Sequence, residues 1–309
     1  MKRFRNILVV PAALELHDAA IQRGIRLCQS AGADMTLLWP QNPASDNGTG
    51  FDHFPKVLEE IHRRIAAITH EIESNSWAKV TSRVEVGKLF VEVLRRVQTD
   101  AFDLVLKTAR GRSLGHQMLF GGDALHLIRK CPCPVWIVDP QVTVPNPIVA
   151  AVDPMPTDAE ARNVAKVVLQ VATSMAALDQ APVHVVHAWA TPGERIARDL
   201  DWLKIKPTDE PSHVDAIKER HAQALNVLIE PFLKDHPDLK THLVRGQPET
   251  VIPAVAEEYS AGTLVMASMA RSDVPGLLIG SAAEVILHDA NRSVLVVKPE
   301  NYVAPVVLD

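Results

Sequence analysis

The residues of this chain best placed to do chemistry lie in 266–300, which read MASMARSDVPGLLIGSAAEVILHDANRSVLVVKPE. An apolar, strand-like run closes at Met266, a loop of small residues follows, and Gly280-Ser281 opens a helical segment before a further strand at Ser293–Val297. That order is the layout of an anion cradle, because the first turn of a helix leaves N–H groups unpaired and carries the positive end of the helix dipole. Ser281 would add a hydroxyl, and Asp153, at the end of an earlier strand beside Ala188, could accept from a ribose hydroxyl or an amine. Both residues also have plain structural roles: Ser281 as a helix N-cap, and Asp153 before Pro154 as a turn former. Ala267 and Ala270 stand where a phosphate cradle would put glycine. Glycine permits positive φ and close approach of backbone N–H to phosphate. If both positions need left-handed geometry, alanine costs roughly 1–2 kcal/mol at each. Together that is roughly tenfold to a thousandfold in affinity.

Other constellations lead to less. The 13 histidines suggest metal chemistry, but their spacing does not support it. His184 and His187 lie three apart on a strand, where side chains alternate, so they face opposite sides. His126 and Arg129 are one helical turn apart, with no third ligand to place. No metal ligand and no catalytic residue is assigned. Cys131-Pro132-Cys133-Pro134 has one intervening residue, not the two of a redox or zinc CxxC. It reads as buried thiols in an extended lead into a strand. Gly111-Arg112-Ser113-Leu114-Gly115 matches the G-x-S-x-G outline. A nucleophile elbow, however, passes directly from strand to helix, whereas here the strand ends near Lys107 and the chain runs on to the pair Gly121-Gly122.

The elements that position these residues are written twice. RKCPCPVWIVDP (129–140) and HDANRSVLVVKP (288–299) are each a helix end, a short turn and an apolar strand closed by proline, at an offset of 159. The same offset carries Gly121 onto Gly280, Gly87 onto Gly246, and DLVLK (103–107) onto GTLVM (262–266). Near the starts, ILVVPA (7–12) matches IVAAVD (148–153) at an offset of 141, so the second copy is longer by about 18 residues, assigned to 189–213. In the first copy strands are predicted at 7–10, 35–39, 82–86, 104–107 and 135–138, and helices at 17–31, 55–73, 90–97 and 123–129. In the second, strands are predicted at 148–152, 183–187, 242–244, 264–266 and 294–297, and helices at 159–175, 214–233, 249–259 and 281–288. Short β-branched runs without polar alternation suit strands buried on both faces. Alternating strands and helices imply an α/β fold with parallel sheets. The expected units are residues 1–140 and 141–309, joined by an extended linker at 139–147, the second carrying the insertion and a C-terminal tail. Ligands of such sheets bind beyond the carboxyl ends of the strands, where strand order reverses.

Composition narrows the classes of function. A net charge of −5 and a pI near 6.2 give no electrostatic footprint for nucleic acid. Three cysteines make no disulfide framework and point to a reducing cytoplasm. The opening MKRFRNILVV is too short in its apolar part for a signal sequence. No stretch approaches the roughly 18–20 apolar residues of a membrane span.

The arrangement resembles the universal stress protein family. The nucleotide-binding pattern of that family is a glycine, two residues, a second glycine, nine residues, then Gly-Ser or Gly-Thr, together with an aspartate ending the first strand. The second copy keeps Asp153, the nine-residue spacing, Gly280 and Ser281, with Ala267 and Ala270 for the leading glycines. The first copy has Thr108 and Gly111 for the leading pair, Gly121-Gly122 for Gly-Ser, Ala12 in place of the aspartate, and Pro40 ending its second strand. DLVLK, RKCPCPVWIV, GQPETVIP (246–253) and KPENYVAPVVLD (298–309) align it with the tandem-domain members. The resemblance implies two universal-stress-protein domains, each a five-stranded parallel sheet flanked by helices. It implies a stress-response protein that senses or binds without turnover, using a degenerate nucleotide-type cleft mainly in the second domain, at Asp153, Ala188, Met266, Ala267, Ala270, Gly280 and Ser281. The ligand would be ATP or another adenine nucleotide, held weakly. Alternatives are an ATP-binding protein with slow hydrolysis or self-phosphorylation, and a carrier of an apolar or lipid-like small molecule under a lid formed by Trp189, Ile196, Trp202 and Leu203. The family's mode of dimerisation implies that 135–138 pairs with 294–297 inside the chain, a pseudo-dimer, with a homodimer as the next level of assembly.

Overall fold

The structure, a computed structural model, describes residues 4–42, 54–76, 79–109, 121–142, 144–155, 159–194, 211–268, 280–288, 290–299 and 302. The first half runs β1 (Asn6–Val10), α1 (Ala19–Ala31), β2 (Asp34–Gln41), α2 (Phe54–Ser76), β3 (Val80–Val86), α3 (Leu89–Asp100), β4 (Leu104–Thr108), α4 (Gly122–Lys130) and β5 (Val135–Val138). The second half runs β6 (Ile148–Ala151), α5 (Ala159–Asp179), β7 (Val183–Trp189), α6 (Pro211–Leu233), β8 (Lys240–Arg245), α7 (Pro248–Glu258), β9 (Thr263–Ala267), α8 (Ser281–His288) and β10 (Ser293–Val297).

All ten strands join one sheet in the order β3-β2-β1-β4-β5-β10-β9-β6-β7-β8. Every neighbouring pair is parallel except β5 and β10, which are antiparallel, with Trp136 opposite Leu295. The two halves therefore meet edge to edge, as the pairing of 135–138 with 294–297 requires. An edge strand presents unpaired backbone groups that invite aggregation, and this seam removes one such edge from each half. The remaining edges, β3 and β8, are part-exposed and carry Arg83, Glu85, Lys240 and Arg245. The central strands are buried on both faces.

Side chains alternate along each strand and feed two cores. Ile7, Val9, Leu295 and Val297 pack with α1, α2, α5 and α6 on one side. Leu8, Val10, Val294 and Val296 pack with α3, α4, α7 and α8 on the other. The approach of α1 to the sheet depends on Gly24, where a methyl group would sit 2.6 Å from Met35 Sδ and 3.1 Å from Val9. Gly32 ends the same helix at φ 65°, in the left-handed region that favours glycine, its N–H donating to Cys28 O.

Two expectations are corrected. β2 does not stop at Pro40 but continues to Gln41, pairing Pro40 with Glu85 of β3. β1 pairs with β2 only as far as Leu37, so the missing N–H of Pro40 faces no ladder partner on that side. The linker is not simply extended, because Val142 N–H donates to Asp139 O in a turn. Among the described residues no helix is long and apolar enough to cross a membrane.

Candidate functional site

In the second half the order turns between β6 and β9, and the carboxyl ends of β6, β7 and β9 open on a cavity of about 250 Å³. From the strands come Ala151, Val152, Asp153, His187, Ala188, Met266 and Ala267. Pro248 and Ile252 of α7 close one side, and Gly280 with Ala282, Ala283 and Ile286 of α8 closes another. The small side chains of Ala188, Ala267, Ala282 and Ala283 are what leave the space. Five of the residues read from sequence, Asp153, Ala188, Met266, Ala267 and Gly280, are thus brought together. Ser281 is the first residue of α8. Ala270, and with it the loop 269–279, lies outside the described residues, as do Gly111 and the G-x-S-x-G stretch.

The polar groups at the cavity are few. Asp153 is exposed at the rim, and its Oδ1 accepts from Met155 N at 3.0 Å. His187 is buried beneath it. Its Nδ1 lies 3.1 Å from Val152 O, and its Nε2 lies 2.8 Å from His221 Nδ1 on α6. A carbonyl can only accept, so a neutral His187 carries its proton on Nδ1 and accepts from His221 on Nε2. Burial holds the His187 imidazole down at about 4, against the opposing pull of Asp153. Both ring nitrogens are engaged and the ring is neutral near pH 7, so it offers the cavity a wall rather than a general base. Burial likewise lowers His221, again opposed by Asp153.

His184 projects to the other face of β7, its Nδ1 2.9 Å from His242 Nε2 and its ring 4.1 Å from that of Tyr259. The opposite facing expected of His184 and His187 is observed. Among the described residues no three metal-ligating side chains converge. Trp189 ends β7 buried, 5.8 Å from the His221 ring and 5.7 Å from the Arg245 guanidinium. It is therefore a core residue and not part of a lid. Ile196, Trp202 and Leu203 lie outside the described residues.

The equivalent point of the first half, between β1 and β4, is occupied by the protein itself. Asp18, the N-cap of α1, is buried and turns its carboxylate back over the ends of these strands. Oδ2 accepts from Ala12 N at 2.9 Å and Ala13 N at 3.3 Å, and Oδ1 accepts from Ala20 N at 2.9 Å, Ile21 N and the Thr108 hydroxyl. Thr108 is thereby buried and bonded, and Ala20 N also donates to its Oγ1 at 3.0 Å. Gly121 caps α4 with no side-chain hydrogen bond, and Gly122 begins it. A second, more open groove of about 510 Å³ lies beside this point, along α2 at Lys56, Val57, Glu60 and Arg64. Sequence reasoning missed Asp18, although an aspartate directly before an amphipathic helix is an N-cap signal. It also missed His187 as a cavity residue and the wall that Pro248 and Ile252 of α7 form, which only strand order places.

A sequence profile described as the universal stress protein family matches residues 3–139 and 146–298. Universal stress protein E of Salmonella typhi is 29% identical over 325 residues, covering 100% of this chain and 99% of that protein. Universal stress protein E of Escherichia coli K12 is 26% identical over 320 residues, covering 100% and 98%. Among solved structures, a Pseudomonas aeruginosa protein of unknown function superposes with a TM-score of 0.71 at 23% identity, over 96% of this chain and 94% of that one. A universal stress protein from Archaeoglobus fulgidus superposes at 0.65 with 17% identity, over 94% and 98%. At these identities the superpositions speak for the fold alone.

Proposed function

The chain belongs to the universal stress protein family, and we propose that it serves the stress response as a binding protein, taking an adenine-nucleotide-type ligand weakly in its second-half cleft without turning it over. The carrying observation is the convergence of Asp153, Ala188, Met266, Ala267 and Gly280 on one cavity at the turn of strand order. A cavity of about 250 Å³ with mostly apolar walls suits a planar base and part of a sugar, being at the small end of ligand pockets, which span roughly 300–1,000 Å³. In this reading the Asp153 carboxylate accepts from ribose hydroxyls or an exocyclic amine, while the Ala267 methyl, where the family pattern has glycine, hinders close approach of phosphates. The base and sugar fit the residues present better than a triphosphate does. Engagement of both His187 nitrogens supports binding over turnover. In this reading residues 1–140 and 141–309 are the two working units, paired within one chain, and the first is a structural partner.

Thermal unfolding with millimolar ATP or AMP tests the reading. Ligand at 100 times its dissociation constant adds about 2.7 kcal/mol, so a rise in melting temperature is expected in the wild type and its loss in Asp153→Ala. No shift in the wild type, or an equal shift in Asp153→Ala, overturns the reading. Steady release of phosphate from ATP would favour the hydrolytic alternative.

A further inference from the structure

The seam between the halves gathers groups that the cleft does not use. In the β5–β10 register Val135 is opposite Val296, and continuing it sets Cys133 opposite Lys298. Directly opposed residues of antiparallel strands share a face, so an ammonium from the second half meets the thiols of the first. Cys131 Sγ lies 3.5 Å from Cys133 Sγ, and the two residues are 0% and 8% exposed. Lys298 is 3% exposed. Its Nζ donates to Ser268 Oγ at 3.3 Å and sits 4.6 Å from the centre of the Tyr302 ring, whose hydroxyl donates to Arg129 O at 2.5 Å. Among the described residues no carboxylate pairs with Lys298.

A buried ammonium needs an anion beside it, and the two sulfurs are the groups at hand that can become one. Burial draws Lys298 down to about 8, and both sulfurs resist that fall. Burial also opposes a Cys131 thiolate, but the hydrogen bond from Cys133 and the charge of Lys298 outweigh it, leaving that thiol below its ordinary value. Cys133, the other member of this pair, is held well above its own by the contact with Cys131 and by burial. Of the two, Cys131 is thus the sulfur that ionises first. Cys28 is the contrast, with burial and Asp34 pushing its thiol up to about 11.

We propose that Cys131 and Cys133 form a reversible disulfide, a peroxide-reactive site at the seam, with Cys131 as the attacking thiolate and Cys133 as the resolving thiol. The Cys131 thiolate attacks one oxygen of hydrogen peroxide, the O–O bond breaks, and the leaving hydroxide takes a proton from Lys298 to become water. Cys131 is then a sulfenic acid. The Cys133 sulfur attacks the Cys131 sulfur, the S–S bond forms, the S–O bond breaks, and a second water leaves with the Cys133 proton. The thiols lose two electrons in all, and peroxide is reduced to water. Peroxide is little larger than water, and Cys133, 8% exposed, is the less buried of the two residues. The sulfurs close from 3.5 Å to about 2.0 Å. A bridge spanning a single residue is strained and readily reduced, which makes the site reversible. Closure also removes the anion that favours the charged form of Lys298, so oxidation leaves a neutral amine beside the disulfide.

The test uses the full chain, exposed to hydrogen peroxide, denatured, alkylated and digested for peptide mass spectrometry. The peptide holding both Cys131 and Cys133 is expected to lose two hydrogens, escape alkylation and recover on reduction, while Cys28 remains alkylatable. Lys298→Met should slow the oxidation roughly tenfold, as a thiol pKa raised by one unit would. In Cys133→Ser, dimedone should label Cys131. Full alkylation of Cys131 and Cys133 after peroxide, prior oxidation of Cys28, or dimedone labelling elsewhere would overturn the proposal. The wild-type peptide measurement depends on no variant and none of these readouts on cleft binding, so this proposal and the cleft reading fail separately.

Discussion

Four backbone N–H groups and one hydroxyl point at the Asp18 carboxylate, whereas Asp153 accepts from Met155 N alone among the described hydrogen bonds. The two acids stand near related strand ends, and their surroundings set what each half can hold: Asp18 fills its own switch point, and Asp153 faces a cavity. Beneath Asp153, the depressed His187 makes a pH prediction. Its imidazole takes a proton near 6.5 when unfolded but only near 4 when folded, because burial disfavours the charged form. The unfolded chain therefore binds the proton first, so the contribution is complete above about pH 6.5 and is lost as pH falls toward 4. Its size is on the order of 3 kcal/mol. Urea unfolding of the wild type should show this loss across that window, and His187→Gln should shrink it. An unchanged pH profile in the variant would refute the assignment. At this scale spacing in the sequence led to Asp153, Ala267 and Gly280, which the structure brings to one cavity. It did not disclose that His187 would back them, because its partner His221 lies 34 residues away on a helix that no pattern ties to β7.

Elements were the most legible level. Strand and helix positions follow hydrophobic periodicity closely, and the departures have local causes, such as the continuation of β2 through Pro40 where no third strand needs its N–H. What periodicity does not reveal is how elements of different halves hold one another. Arg23 of α1 donates to both carboxylate oxygens of Asp179 on α5, at 2.5 and 2.6 Å, and its guanidinium lies 4.8 Å from the centre of the Trp136 ring. Both ion-pair partners are buried, with Arg26 also 3.6 Å from Asp179. On the other face of the sheet Arg129 of α4 meets Glu284 of α8 at 2.9 Å, part-exposed. Removing one member of a buried pair strands the other, so Asp179→Ala should destabilise by about 3–5 kcal/mol. The double replacement Arg23→Met with Asp179→Leu should come close to neutral, because it removes both desolvation penalties. Denaturant midpoints measure both effects, and a change under about 1 kcal/mol in Asp179→Ala would show that the clasp contributes no more than a surface pair does.

As a whole, the molecule is a duplicated unit whose copies share one sheet and have diverged at their switch points. The antiparallel seam was readable, because two apolar strands closing two copies must each cover an edge. The divergence was only half readable: the missing carboxylate at Ala12 was visible, but not the loop that swings Asp18 into that space, since an N-cap aspartate looks the same whether or not it also bridges two strands. The asymmetry is the central claim, and the stoichiometry of nucleotide binding by calorimetry tests it most directly. The account predicts one adenine-nucleotide site per chain, weak in the wild type, lost in Asp153→Ala, and tightened when Ala267 and Ala270 are both changed to glycine. Two equivalent sites per chain, or binding that persists unchanged in Asp153→Ala, would contradict it.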